Sequence, residues 1–211
     1  MHVTLFGVVL FLHITVAIFA FAMAGVLHTS LQVIGRARRV EEIRSWGAVA
    51  HRLEPLLPVM ALVLLALGAW LVHLGEHTDD QFRFTTGWVL TAIVTVVVVE
   101  AIGGILLKPR GDKLSALIAA APDGAVPDEI TRVARDPIFW DMAHLTTFGF
   151  LGVVFLMAAK PSGAWPVAFP IVGAVLGVVL SRLQQRGLPA HDGAATVPGQ
   201  RAAGHTAEAR A

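Results

Sequence analysis

The sequence predicts an all-α fold: a polytopic membrane bundle of five transmembrane helices, with the N-terminus outside and the C-terminus cytoplasmic. Three observations carry this expectation. Hydrophobic residues make up 55% of the 211-residue chain and charged ones 15%, where soluble domains carry about 25%, and mean hydropathy is +0.70. The apolar residues gather in five runs, each near the roughly 20 residues a helix needs to cross a bilayer core of about 30 Å. Between the runs, Lys and Arg alternate in number, as the positive-inside rule requires of successive loops.

Residues 3–27 form the first run. Nothing before them resembles the basic leader of a cleavable signal peptide, so the run is read as retained. Runs 55–74, 87–107 and 138–159 follow. A shorter one at 166–183 carries Pro166 and Pro170 in its first turns, where a missing N–H is tolerated. Lys108-Pro109 and Lys160-Pro161 read as stop signals closing the third and fourth spans. Segments 28–54 and 108–137 hold five Lys or Arg each, 75–86 and 160–165 hold one each, and the end from Ser181 holds four. The two basic segments are therefore placed in the cytoplasm of a multi-pass inner-membrane protein. Trp70, Trp88 and Trp165 then fall at the outer boundary and Trp46 and Trp140 at the inner one, as an aromatic belt requires.

Within the basic segments, VEEIRSWGAVAHRLEP has helical spacing and could extend the second span inward. DKLSALIAAAPDGAVPDEITRVARD reads as two short helices split by a Pro/Gly turn. Both are expected along the inner membrane surface. The bundle occupies 1–183, and the small, polar, Gly/Pro-rich remainder, 184–211, reads as a disordered cytoplasmic tail. Its His191 and His205 are too isolated to argue for a metal.

The absence of cysteine excludes disulfides, thiolate metal sites and cysteine nucleophiles. A net charge of +1 gives no argument for a nucleic-acid partner, and the partner the composition names is the lipid bilayer. No Walker motif, nucleophile elbow or HExxH pattern occurs, so the sequence does not decide whether the protein is an enzyme. GAVLG, with Gly173 and Gly177, is a GxxxG pattern suited to close helix packing. It is a candidate contact with a membrane partner or a second copy.

Polar side chains inside apolar runs cost about 2.5 to 3.5 kcal/mol when charged at a helix centre and mark functional sites by default. Glu100 lies about 10 Å deep from the inner end of the third span, and His144 shares that depth in the fourth. Asp141, three residues before His144, is on the same helix face. His28, His51 and Glu54 fall at the inner boundary. Together they make a candidate inner cluster: His28, His51 and His144 toward a cofactor, His144, Asp141 and Glu100 toward a metal ion, Glu100 and Glu54 toward a proton relay. The bland alternative pairs Glu100 with His144 or an arginine and leaves the boundary residues hydrated.

His13 is separate, near mid-membrane, above a stripe of Ala17, Ala20 and Ala24. Such a stripe admits a neighbouring helix or leaves room for a flat ligand such as porphyrin. Equally, His13 could hydrogen-bond across to a hydroxyl or a carbonyl.

Leu12-His13, the small-residue stripe, His28 and the basic loop after it resemble the opening of a group of small bacterial membrane proteins. So does HRLEPLLPVMALVLLALGAW, with Arg52-Leu53, Pro58 and Gly68-Ala69-Trp70. The group includes the haem-associated membrane protoporphyrinogen oxidases, the copper-resistance D domain and an uncharacterised integral-membrane family. FLMAAKP at the end of the fourth span is similar to the last of these. The resemblance covers residues 5–75 and 138–161. It implies a four-helix core with a fifth span added, and b-type haem with His13 as a ligand. Where the oxidases carry a further histidine in the third span this chain has Glu100, which implies a relative that kept the scaffold and lost or changed the chemistry.

The first expectation is thus a His-containing intramembrane site for haem or a metal ion in electron or proton transfer. A non-catalytic accessory subunit of a larger complex is the second. The third is a small proton-coupled transporter using Glu100 and His144.

Overall fold

The computed structural model describes residues 4–76, 82–163 and 165–187. Among them the chain forms eight α-helices: α1 (Leu5–Arg36), α2 (Val40–Leu53), α3 (Leu56–Gly75), α4 (Gly87–Ile102), α5 (Lys108–Ala120), α6 (Asp128–Ala134), α7 (Pro137–Ala159) and α8 (Trp165–Arg186). Five helical stretches are long and apolar enough to cross a membrane: Leu5–Arg36, Val40–Gly75, Gly87–Ala120, Asp128–Ala159 and Trp165–Arg186. The protein is an all-helical, multi-pass membrane bundle.

The helices overrun the apolar runs that predict them, and always at the basic end. The 32 residues of α1 extend about 48 Å at about 1.5 Å per residue, against a bilayer core of roughly 30 Å. The Thr4 side chain opens α1 by accepting from Gly7 N at 3.1 Å. At the other end Arg135 Nε donates to the Gly35 carbonyl at 2.8 Å, one of the acceptors a helix end leaves open.

Lys108-Pro109 does not stop the third span. Pro109 has no N–H, and its ring crowds the carbonyl four residues back. The helix accommodates it by widening to a π-helical segment over Gly103–Leu107, in which Lys108 N–H reaches back to the Gly103 carbonyl, and then runs on as α5. Lys160-Pro161 does end α7. Lys160 adopts the left-handed conformation, φ 44°, with its N–H on the Leu156 carbonyl at 2.8 Å.

The basic segments fold back on one another as a helical cap. Ile43 of α2, Ile118 of α5, Ile130 of α6, Trp140 of α7 and Ile34 of α1 close an apolar core. A short antiparallel bridge ties the α1–α2 and α5–α6 connections: Val40 N–H donates to the Gly124 carbonyl at 2.9 Å and Val126 N–H to the Arg38 carbonyl at 3.1 Å. Gly124 has φ +125°, open to glycine and strained for other residues. The two basic segments thus pack on each other and on the ends of α1 and α7.

The tryptophans differ in exposure. Trp70 and Trp165 are exposed as a belt requires, but Trp140 is wholly buried in the cap core and Trp88 is buried in the bundle. The tail boundary also moves, because Gln184, Gln185 and Arg186 complete α8. Residues 188–211, with His191 and His205, lie outside the described residues.

Two helix groups make the bundle: α1 on α3, and α7 between α4 and α8, with only light contact from α3 to α4 and from α1 to α7. The closest pair is α7 with α8. A Cβ on Gly152 would lie 2.5 Å from the Phe169 carbonyl oxygen and one on Gly177 2.5 Å from that of His144, while one on Gly173 would collide with the Phe148 carbonyl. The GxxxG pattern is therefore engaged inside this chain, where glycine lets two backbones touch.

Candidate functional site

The light seam between the two helix groups opens, away from the cap, into a cavity of about 330 Å³. That volume falls in the range of ligand pockets, about 300 to 1,000 Å³. Its walls are apolar and aromatic, Phe82, Trp88 and Phe150 among them, and two polar side chains reach it: His13 and Lys160. The alanine stripe faces inward, Ala17 onto this cavity and Ala20 and Ala24 onto a second one deeper in the bundle.

His13 is 7% exposed. The Leu64 backbone offers its ring a hydrogen bond, but its Nδ1 is buried with no partner. The ring sits where α3 has no side chain: a Cβ on Gly68 would lie 3.3 Å from His13 Cε1. Both sequence readings of His13 thus meet at one residue, a carbonyl across the helix pair and a ring on the wall of a ligand-sized cavity.

At the mouth, Lys160 Nζ lies 4.2 Å from the Phe82 ring centroid and 5.9 Å from that of Trp88. A left-handed lysine costs roughly 1 to 2 kcal/mol; the strain directs a cation to the lip of an apolar chamber.

The expected inner cluster comes together only in part. His28 and His144 meet edge to face, ring centroids 4.6 Å apart. His28 Nδ1 donates to the Ala24 carbonyl at 3.0 Å, and its Nε2 is buried without a partner. His144 is 1% exposed, with Nδ1 on the Trp140 carbonyl at 2.9 Å and Nε2 3.2 Å from the Gln184 side chain. The Gln184 Oε1 that faces Nε2 also accepts from Gln32 Nε2 at 3.1 Å. Asp141 accepts from Ser181 Oγ at 2.7 Å and pairs with Arg182.

The other members stand apart. His51 is exposed. The Glu54 carboxylate packs on α5, its Oε2 3.2 Å from where a Gly111 Cβ would be, with Lys108, Asp112 and His51 as titratable neighbours. Glu100 faces the second cavity, of about 90 Å³, and does not pair with His144. Among the described residues no group of three His, Asp or Glu could hold a metal ion. Asp141 is engaged by Ser181 and Arg182, His144 by Trp140 and Gln184, and Glu100 faces the second cavity. Gln184, Ser181 and Arg182 carry no spacing signal for this role in the sequence, because they meet their partners from another helix.

The chain matches no protein-family model, no curated protein and no solved structure.

Proposed function

We propose that this protein is a bacterial inner-membrane binder of a hydrophobic, acid-bearing small molecule held in the larger cavity, with b-type haem as the cofactor that fits the residues best. The observation that carries the reading is the His13 ring on the wall of an apolar cavity that Lys160 also lines; its Nδ1 has no partner and is closed in beside Gly68, so ligation would require the ring to turn. An unpaired polar nitrogen in an apolar interior is costly unless something completes it. His13 would be the protein ligand to the iron, Phe82, Trp88 and Phe150 would enclose the macrocycle, and the Lys160 ammonium would face its acidic edge. Among the described residues no second histidine lines the cavity, so the site offers haem one imidazole. Bound haem would supply one-electron chemistry.

In this reading the cap and the basic end face the cytoplasm, as the Lys and Arg counts favour, and α8 is the span added to a core of α1, α3, α4 and α7. A transporter reading has less support, since Glu100 and His144 have different neighbours. The accessory reading loses Gly173 and Gly177 as a free surface, since α7 covers them.

Titrating haemin into the purified full-length protein tests the proposal. Saturable one-to-one binding is expected, weakened at least tenfold by His13→Ala and severalfold by Lys160→Gln. Binding that ignores both substitutions would overturn it.

A further inference from the structure

The smaller cavity lies one layer below the larger, and Leu64, Val96 and Phe150 line both. Its wall comes from α1 (Ala20, Phe21, Ala24), α3 (Leu57, Ala61), α4 (Val99, Glu100) and α7 (Thr146, Thr147), besides the shared layer. Glu100 is the one titratable group on that wall: α1 and α3 contribute only apolar side chains and α7 two hydroxyls. Its carboxyl has no hydrogen-bond or ion-pair partner among the described residues.

Every other acidic residue in the apolar spans is accounted for, since Asp141 has Ser181 and Arg182. Glu100 is half-buried, and within an apolar span a carboxylate without a cation is disfavoured, neutralisation by a proton being the usual outcome. A water needs about 10 to 15 Å³ of such space and two or more polar partners. The cavity's volume of about 90 Å³ holds several. The Thr146 hydroxyl donates to the carbonyls of Met142 and Ala143, at 2.9 and 3.0 Å, and keeps its lone pairs for water. Ala24, on the wall, carries the carbonyl that His28 holds, and the His28 Nε2 beyond it is unpartnered.

We propose that Glu100 is a proton-binding site within the membrane, protonated at neutral pH and exchanging its proton with water through the small cavity past His28. The balance is simple: the proton leaves a Glu100 carboxyl oxygen as hydronium in the cavity water, and the same oxygen takes it back. The π-helical segment that begins three residues on, at Gly103–Leu107, is a distortion that often accompanies functional positions. The proposal does not depend on haem.

Infrared difference spectroscopy of the full-length protein in lipid vesicles, wild type minus Glu100→Gln, reads the state of this group directly. At neutral pH the difference should show one carbonyl band of a protonated carboxylic acid, absent from a parallel Glu54→Gln difference. The band should move in heavy water, and more slowly in His28→Phe. No carboxylic-acid band would mean that Glu100 is ionised and would overturn the proposal. A band that never moves in heavy water would overturn the exchange, and one whose movement is as fast in His28→Phe would overturn the path.

Discussion

Asp141 fixes the basic end of α8 through one carboxylate: Oδ1 takes the Ser181 hydroxyl and Oδ2 the Arg182 guanidinium. Asp141→Ala removes both acceptors and leaves the O–H of Ser181, wholly buried, without an acceptor, while its oxygen keeps the Gln185 amide at 2.9 Å. Because Arg182 is 55% exposed and water can take over its charge, the expected loss is that of hydrogen bonds to a charged group, about 1.5 to 3 kcal/mol. Unfolding in mixed micelles measures it, and Asp141→Asn should recover part of the loss through Ser181. Gly68→Ala works differently. Its methyl group meets the His13 ring at 3.3 Å, so it should weaken haemin binding severalfold while leaving the unfolding curve nearly unchanged. At this scale the sequence was informative where cost alone decides: His13, Glu100 and His144 stood out because polar groups are rare in apolar runs. Their partners did not stand out. The Leu64 backbone, Gln184 and Ser181 are identified only by how helices far apart in the chain face each other.

At the scale of elements, α7 and α8 behave as one unit because glycine removes the side chains between them. Gly152→Val places carbon against the Phe169 carbonyl and should cost at least the 1 to 3 kcal/mol typical of overpacking, loosening α8 and exposing it to protease. Gly25→Ala is the control, since nothing lies within 4 Å of its added Cβ. It should unfold no more readily than wild type. The GxxxG spacing was legible in the sequence, but its partner was not, since a small-residue face is equally suited to a neighbouring helix of the same chain or of another. Hydropathy likewise marked where each helix is apolar rather than where it ends. The overruns of α1 and α4 into the cap are amphipathic, and Pro109, a plausible terminator, is absorbed by a π-helical segment.

For the whole molecule, the two helix groups are bound together at the basic end by the cap core and diverge at the other around the larger cavity. The five spans and the basic alternation could be read from composition and length. The cavity could not, because it arises from the light contact of α3 with α4 and of α1 with α7, which no single helix encodes. Orientation is open to a clean test, since the chain contains no cysteine. A cysteine at exposed Ser162 should react with an impermeant maleimide on intact cells, and one at exposed Ala120 only after permeabilisation.

The most direct test of the central claim is the visible absorption spectrum of the protein purified from its own membrane. A Soret band at about one haem per chain is expected, lost in His13→Ala and kept in His28→Ala. A colourless protein that also fails to take up added haemin, or a band indifferent to His13, would contradict the account.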